Sequence, residues 1–365
     1  MNIGALDEKG KPIDWWFIYK VPKLTHSKSA HQDLSATGYE YVYYDTKQGA
    51  LKGSDFRLDS DKGALNATLD SVFNKPANTT GWILYNDEMP ADANRHDDGN
   101  LGHSKGVIAF DVASKTALWL LHSWPKFADP GVPGMPTPMY GQTYLCISID
   151  LDVAGQLAAQ MINHQEPQVY LPHIPPALPK SSDLYLLTQG VDPNATADSD
   201  AKDYKSRGGM KFKVIAKNKK WNQDFWNDLV GPTLKEDLDV ESWIRGPIPP
   251  ILDKDGVHRT YDIKYIDFRP LGVAFAWPET QDHAKWAITK KNNWVCVGDI
   301  NRMISQRKRG GGTIALQDAV LWKALQSTEL LDVPPGMTQA GAKQVLKSAA
   351  ADAKVEEARA PRHRP

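Results

Sequence analysis

Two cysteines in 365 residues, Cys146 and Cys296, are too few for a disulfide framework or a structural zinc site. Each lies in an apolar run, "TYLCISID" and "NWVCVGD", so buried free thiols are expected. Charge of one sign is also missing. Lys and Arg number 43 against 44 Asp and Glu, giving a formal net charge of -1. A global basic field is thereby excluded, and any nucleic-acid binding must come from a local patch. Long apolar runs are absent as well, since no stretch approaches the roughly 18 residues of a membrane span. The opening "MNIGALDEKGKPIDWWF" has no apolar signal core, so no compartment is assigned. No spacing of His, Cys, Asp and Glu marks a metal cluster, and no metal or other cofactor is expected.

What is present is aromatic and β-branched sequence cut into short runs. "DWWFIYKVP", "YEYVYYD", "TGWILYND", "GVIAFD", "ALWLLHSWP" and "TYLCISID" read as strands bounded by Gly, Pro, Asn or Asp. "VAGQLAAQMI" reads as a helix, "VYLPHIPPALPKS" as an extended connector and "ADSDAKDYKSRGG" as a polar loop. The second half gives an amphipathic helix at "NQDFWNDLVGPTL" and strands near "YDIKYIDF", "VAFAWP", "AKWAITK" and "NWVCVGDI". "TIALQDAVLWKALQSTELL" reads as one helix by its apolar spacing. Beyond about Thr338 the chain turns Ala- and charge-rich, the composition of a tail outside the core. Strands and helices mixed throughout indicate an α/β class.

One weak repeat has a long period. "GHSKGV" supplies His103 and Lys105, and "DHAKW", about half the chain later, supplies His283 and Lys285. Each leads into an apolar strand-like run. Residues two apart on a strand point the same way, so His and Lys of one motif can reach one phosphate. Phosphodiester hydrolysis has a use for two such pairs. One neutral imidazole attacks phosphorus, a protonated one donates to the departing oxygen, and the lysines neutralise the non-bridging oxygens. The three-residue pattern alone is cheap, because "THSKSAH" holds a third copy, His26-Ser27-Lys28, in a polar loop with no strand after it. Trp15, Trp16, Trp82 and Trp124 are expected in the core rather than as base-stacking platforms. "NRMISQRKRGGG" places Arg302, Arg307, Lys308 and Arg309 beside the second motif, as candidates for DNA phosphate contacts, with glycines that could bring backbone N–H groups to phosphate.

The chain resembles the deoxyribonuclease II family of acid endonucleases, within the phospholipase D superfamily. The pieces that carry the likeness are "DWWFIYKVP", "ILYNDE", "GHSKGV", "WLLHSWPKF", "YGQTYLCIS", "DHAKW", "NWVCVGDINR" and "RGGGT" followed by "LWKAL", in order from about residue 4 to 330. The resemblance implies that His103, Lys105, His283 and Lys285 are catalytic and that His122, in "WLLHSWP", is associated with activity. Asn301, in "GDIN", resembles the Asn of the superfamily's Gly-Ser-x-Asn, with Asp299 in place of the Ser. The superfamily's Asp after the Lys is out of step here. Asp111 falls one position late and Lys290 stands in the corresponding place, so Asp111 is left out of the site. Ala287 stands where a family cysteine would be, so the disulfide-braced form and the lysosomal or secreted address of family members do not transfer.

The resemblance implies a phospholipase D-like α/β fold of two pseudo-symmetric halves, each a mixed β-sheet flanked by helices. The halves are expected at 1–165 and 166–335, with a tail at 336–365. It implies a metal-independent, sequence-non-specific endonuclease on double-stranded DNA, giving 3′-phosphate products through a phosphohistidine. Which histidine is the nucleophile is left open. A homodimer clamped on the duplex is compatible with the resemblance, and no membrane partner is expected. The rivals are a lipid head-group phosphodiesterase of the same superfamily, a catalytically inactive DNA-binding protein and a metal-dependent nuclease.

Overall fold

A computed structural model of the chain describes residues 2–25, 35–74, 76–90, 101–130, 135, 137–190 and 196–331, to which the structural statements below refer. His26 and the tail at 336–365 lie outside the described residues. The first part forms β1 (Trp15–Lys20), β2 (Tyr41–Asp45), β3 (Lys52–Gly53), α1 (Ala64–Phe73), β4 (Thr80–Tyr85), β5 (Gly106–Asp111), β6 (Thr116–His122), β7 (Gln142–Asp150), α2 (Leu151–Gln160), β8 (Val169–His173) and α3 (Asp183–Leu187). The second forms β9 (Ser199–Lys205), β10 (Lys211–Lys217), α4 (Gly231–Leu234), β11 (Leu238–Ser242), β12 (Thr260–Asp267), β13 (Ala276–Pro278), β14 (Lys285–Thr289), β15 (Trp294–Gly298), β16 (Gly311–Gln317), α5 (Ala319–Thr328) and β17 (Glu329–Leu331).

Two large sheets result, and few helices. The first has the order β3-β2-β1-β7-β6-β5-β4-β8, and the second β13-β12-β11-β14-β15-β16-β10-β9, with β17 against β12. The expectation of a mixed sheet in each half needs correcting. The named strand pairs of the first sheet are all antiparallel. The second contains one parallel pair, β11 with β12. Short turns join β5 to β6 and β14 to β15, and a short connection can only reverse the chain. The first sheet also reaches past the division expected at 165, since β8 pairs with β4.

Side-chain alternation along each strand assembles the layers. Trp15, Phe17 and Tyr19 of β1 point inward, to a central cluster that also holds Trp286 and Ile288 of β14 and Ile314 and Leu316 of β16. Trp16 and Ile18 point outward and are covered by Leu65, Leu69 and Val72 on and around α1. On the far side, Ala287, Cys296 and Ala315 pack under Trp226, Val230 and Leu234. Helices α2 and α5 contribute Leu157, Leu321 and Leu325 to the central cluster, so the sheets face each other across one shared core. Both cysteines are buried and free, and Cys296 lies directly opposite Ala287 in register. Trp15, Trp16 and Trp124 are core residues. Trp82 is half-buried and stacks on His173.

Three segments differ from their sequence reading. The connector "VYLPHIPPALPKS" opens with strand β8, paired with β4. The polar "SDAKDYK" is not a loop but edge strand β9, whose charged side chains suit a sheet margin. "TIALQDAVLWKALQSTELL" is strand β16, helix α5 and strand β17 rather than one helix. Asp318 divides it. Its carboxylate accepts from the backbone N–H groups of Val320 and Leu321, which caps the helix and ends the strand before it. No described helix is long and apolar enough to cross a membrane.

Because the two sheets share one core, losing an inward ring should weaken both. Phe17→Ala is expected to cost about 3–5 kcal/mol of global stability in a urea titration, in a single transition. Two separated transitions would show that the sheets do not depend on each other.

Candidate active site

Both His-x-Lys motifs lie where a strand begins, and each is tied by its backbone to the opposite sheet. His103 precedes β5 of the first sheet, yet its N–H donates to Gly310 O, just ahead of β16 (2.8 Å). His283 precedes β14 of the second sheet, yet its N–H donates to Gly141 O, at the start of β7 (2.9 Å). Both junctions need glycine. A Cβ on Gly141 would lie 2.3 Å from the Asp282 carboxylate, and one on Gly310 2.6 Å from Gln165 O. The glycines of "RGGG" are buried and serve close chain approach, rather than standing open as an anion cradle. Arg309 reinforces the first junction. Its Nε donates to Leu101 O (2.6 Å) and its Nη2 to Gly102 O (3.1 Å). Tyr19 reinforces the second by donating to the Asp282 carboxylate (2.7 Å), which also accepts from Trp277 Nε1 (2.7 Å).

The two motifs thereby meet. Lys105, Lys285 and Arg309 all depress His103, and His103, Lys105 and Lys285 all depress His283. Burial is the larger cause for both. It takes His103 down to about 3 against the opposing pull of Asp87, and takes His283 well below the ordinary imidazole value. Burial and the neighbouring Lys105 push Lys285 down to about 7. The centre is thus a desolvated group of cations and neutral imidazoles.

The imidazoles are held differently. His103 Nδ1 lies 2.6 Å from the backbone carbonyl of Asp299. A carbonyl only accepts, so Nδ1 carries the proton and a neutral ring keeps its lone pair on Nε2. That nitrogen lies 3.5 Å from Asp87 Oδ2. His283 is instead held against rings, stacked on Tyr140 at 3.9 Å and 7°, with Trp243 tilted beside it at 4.2 Å and 48°.

Asp87 and Asp299 are the functional candidates that sequence reasoning missed. Asp87 follows β4 and is ion-paired with Lys105 and with Arg309 Nη2 (3.3 Å). Burial opposes its ionisation, but Lys105, His103 and Arg309 hold it well below the usual carboxylate range. The signal was a carboxylate directly after an apolar strand, in "ILYND". Asp299 directly follows β15, and burial raises it to about 8 against the pull of Lys105. Asp111 lies elsewhere, at the end of β5, where it accepts from Thr79 and Ser114, and Lys290 pairs with Asp239.

The remaining sequence candidates separate. His122 is fully buried behind Lys105, whose carbonyl accepts from its N–H (3.2 Å). Its ring sits against Phe127 and Tyr144, and burial takes it to about 3. Asn301 is buried with its Oδ1 unpaired, and no hydrogen bond links it to either histidine. Arg302 has to be withdrawn as a phosphate contact. It is 0% exposed, bound to Asp262 at 2.7 Å and to the carbonyls of Pro249 and Pro250. Arg309 is turned inward on the first motif. Lys308 is exposed and Arg307 partly so, on a turn held from below by Lys217, which donates to the carbonyls of Gln306, Arg307 and Arg309. Among the described residues, no group of three or more His, Cys, Asp or Glu gathers to hold a metal ion.

Comparison with known proteins gives the family of the chain. The family model for deoxyribonuclease II matches residues 5–330. The chain belongs to the deoxyribonuclease II family. A Burkholderia pseudomallei protein named "Putative deoxyribonuclease-2" is 63% identical over 346 residues, covering 95% of this chain and 98% of that one. Rat deoxyribonuclease-2-alpha is 31% identical over 332 residues, covering 89% and 92%. The Caenorhabditis elegans cell-death-related nuclease 7 is 32% identical over 344 residues, covering 89% and 86%. A yeast tyrosyl-DNA phosphodiesterase structure matches at a TM-score of 0.29 and 9% identity, covering 63% of this chain and 68% of that one, a likeness on which nothing here rests. In this family member the buried Arg302 is structural. Arg302→Ala removes the buried cation from Asp262 and from two proline carbonyls, and is expected to cost about 3–5 kcal/mol in denaturant unfolding. An unchanged midpoint would contradict the buried pair.

Proposed function

We propose that the protein is a metal-independent endonuclease that hydrolyses DNA without sequence preference, leaving 3′-phosphates, with His103 as nucleophile and His283 as general acid. The observation that carries the assignment is the hydrogen bond from His103 Nδ1 to the Asp299 carbonyl. It leaves Nε2 as the nucleophilic atom, beside the Asp87–Lys105 pair.

In the first step the Nε2 lone pair forms a bond to phosphorus and the bond to the 5′ oxygen breaks. That oxygen takes the proton of the His283 imidazolium. In the second step water attacks phosphorus, neutral His283 takes its proton, and the phosphorus–nitrogen bond breaks to release a 3′-phosphate. Lys105 and Lys285 neutralise the non-bridging oxygens, the role a metal ion has in other nucleases. Asp87 aligns Lys105 and Arg309, and His122 packs behind Lys105. Asn301 remains a candidate for holding phosphate or a neighbouring side chain. Arg307 and Lys308 are the proposed outer phosphate contacts.

We further read the two sheets as related halves of a phospholipase D-like fold. What supports this is strand order. The series β4-β5-β6-β7-β1 matches β11-β14-β15-β16-β10, each motif enters the second strand of its series, and a helix, α2 or α5, follows the fourth. The first half then ends after β8 rather than at 165. The homodimer around duplex DNA stays part of the proposal through the family resemblance alone.

The pH dependence has a definite sign. His283 must be charged and His103 neutral, and both lie below the ordinary value near 6.5. Lys285 carries its charge only below about 7. Activity should therefore be acidic: it falls as pH rises through the lowered His283 value, on the acid side of 6.5, and falls further past about 7 as Lys285 loses its charge. Supercoiled plasmid at about pH 5 in excess EDTA should be nicked by the wild type, and at least 1000-fold more slowly, on the order of a lost essential group, by His103→Ala and by His283→Ala. A requirement for added magnesium, or a rate flat to pH 9, would overturn this reading.

A further inference from the structure

Strand β1 pairs with β7, and β10 with β16, the strands that begin directly after the junction glycines Gly141 and Gly310. Both β1 and β10 end in a lysine. Lys20 stands opposite Gln142 in register, and Lys217 opposite Gly311, so each lysine faces the first residue after its glycine. Both side chains are fully buried. An ammonium has three donors, and each of these meets three backbone carbonyls. Lys20 Nζ donates to Val21 O (2.9 Å), Gly38 O (2.8 Å) and Pro138 O (3.4 Å). Lys217 Nζ donates to Gln306 O (3.3 Å), Arg307 O (3.0 Å) and Arg309 O. In each half one of the three carbonyls lies three residues before the junction glycine, Pro138 ahead of Gly141 and Arg307 ahead of Gly310.

Burying an ammonium is costly, and burial draws Lys20 down to about 7 and Lys217 to about 8. The strands do not need the charge for their own pairing, since β1 and β10 each have a partner strand on both sides. What each ammonium gathers is the loop that leads to the glycine. That loop then delivers its glycine carbonyl to a histidine N–H of the opposite sheet, Gly141 to His283 and Gly310 to His103. The second loop is tied twice, because Arg309, whose carbonyl Lys217 holds, also donates to Leu101 O and Gly102 O. The first is tightened by Gly38, where a Cβ would lie 2.2 Å from Pro138 O.

We propose that Lys20 and Lys217 are an equivalent pair of positioning residues, each fixing the loop that holds the histidine of the opposite sheet, Lys20 for His283 and Lys217 for His103. The proposal rests on the two-histidine reading above, though not on which imidazole attacks. Arginine could not take this place, because its planar fork does not turn three donors toward converging carbonyls.

The test uses Lys20→Met and Lys217→Met, which keep the apolar stem and remove the donors. Backbone hydrogen exchange at His103 and His283 is followed by NMR, with kcat and KM for plasmid nicking. Lys217→Met is expected to speed exchange about 10-fold at His103 and leave His283 unchanged, and Lys20→Met the reverse. Each should lower kcat about 10- to 100-fold, the scale of a misplaced reacting group. On thymidine 3′-(4-nitrophenyl phosphate) the leaving group needs no proton. Whichever of His103→Ala and His283→Ala is partly recovered there, the variant of the lysine that serves it should recover with it. Exchange that rises at both histidines alike or at neither, recovery that follows the other histidine, or an unchanged kcat would overturn the proposal. A raised KM with kcat kept would make Lys217 a prop for the basic turn alone, and overturn its assignment. Where a Met variant does not fold, Lys→Gln at the same site, which keeps two donors, decides by the same readouts. Normal cleavage by both histidine variants would instead refute the two-histidine reading, while amide exchange would still judge the lysines.

Discussion

Everything in the site depends on a reciprocal exchange of backbone hydrogen bonds between the sheets. The first motif hangs from Gly310 of the second sheet, and the second motif from Gly141 of the first. Neither half can complete its own histidine. The exchange is possible only because Gly141 and Gly310 have no side chain to keep the chains apart. The shared core between β1 and β14 to β16 holds the sheets at the distance that makes both bonds, so packing and catalysis are linked through the same contacts.

The second organising fact is concentrated positive charge in a dry place. Lys105, Lys285 and Arg309 surround one ionised carboxylate, Asp87. Unit charges about 4 Å apart interact by roughly 4 kcal/mol at an effective protein dielectric. One Asp therefore leaves the group electrostatically unsatisfied, and an entering phosphate relieves it. Asp299 adds little charge at acid pH, because burial keeps its proton on up to about 8. It acts through its backbone carbonyl instead, which sets the tautomer of His103. In the proposed mechanism, acid preference follows from burial and mutual repulsion of the basic groups, rather than from titration of a carboxylate.

Much of this was legible in the sequence. The aromatic runs gave β1, β2, β4, β5, β6 and β7 because each is short, β-branched or aromatic, and closed by a turn former. The motif pair was legible because both copies precede such a run. What was not legible is what depends on distant chain. "SDAKDYK" reads as loop because an edge strand gains its partner, β10, only through the fold. Arg302 reads as a phosphate contact because local composition does not reveal that Asp262 and two proline carbonyls enclose it. Asp87 and Trp243 reach the histidines through strand pairing, β4 with β5 and β11 with β14, which the local composition does not display. The Asp318 cap that splits β16 from α5 was visible in "LQDAVLW", but the apolar period on either side masked it.

The central claim is that the two imidazoles are inequivalent, with His103 as nucleophile. The most direct test is to map the covalent intermediate. A duplex oligonucleotide is cleaved under single-turnover conditions at acid pH, the reaction is quenched in alkali, where a phosphohistidine survives, and the digested protein is sequenced by mass spectrometry. The account predicts a 3′-phosphoryl DNA fragment on His103 and none on His283. A fragment on His283 would reverse the roles, and cleavage with no adduct on either histidine would contradict the mechanism.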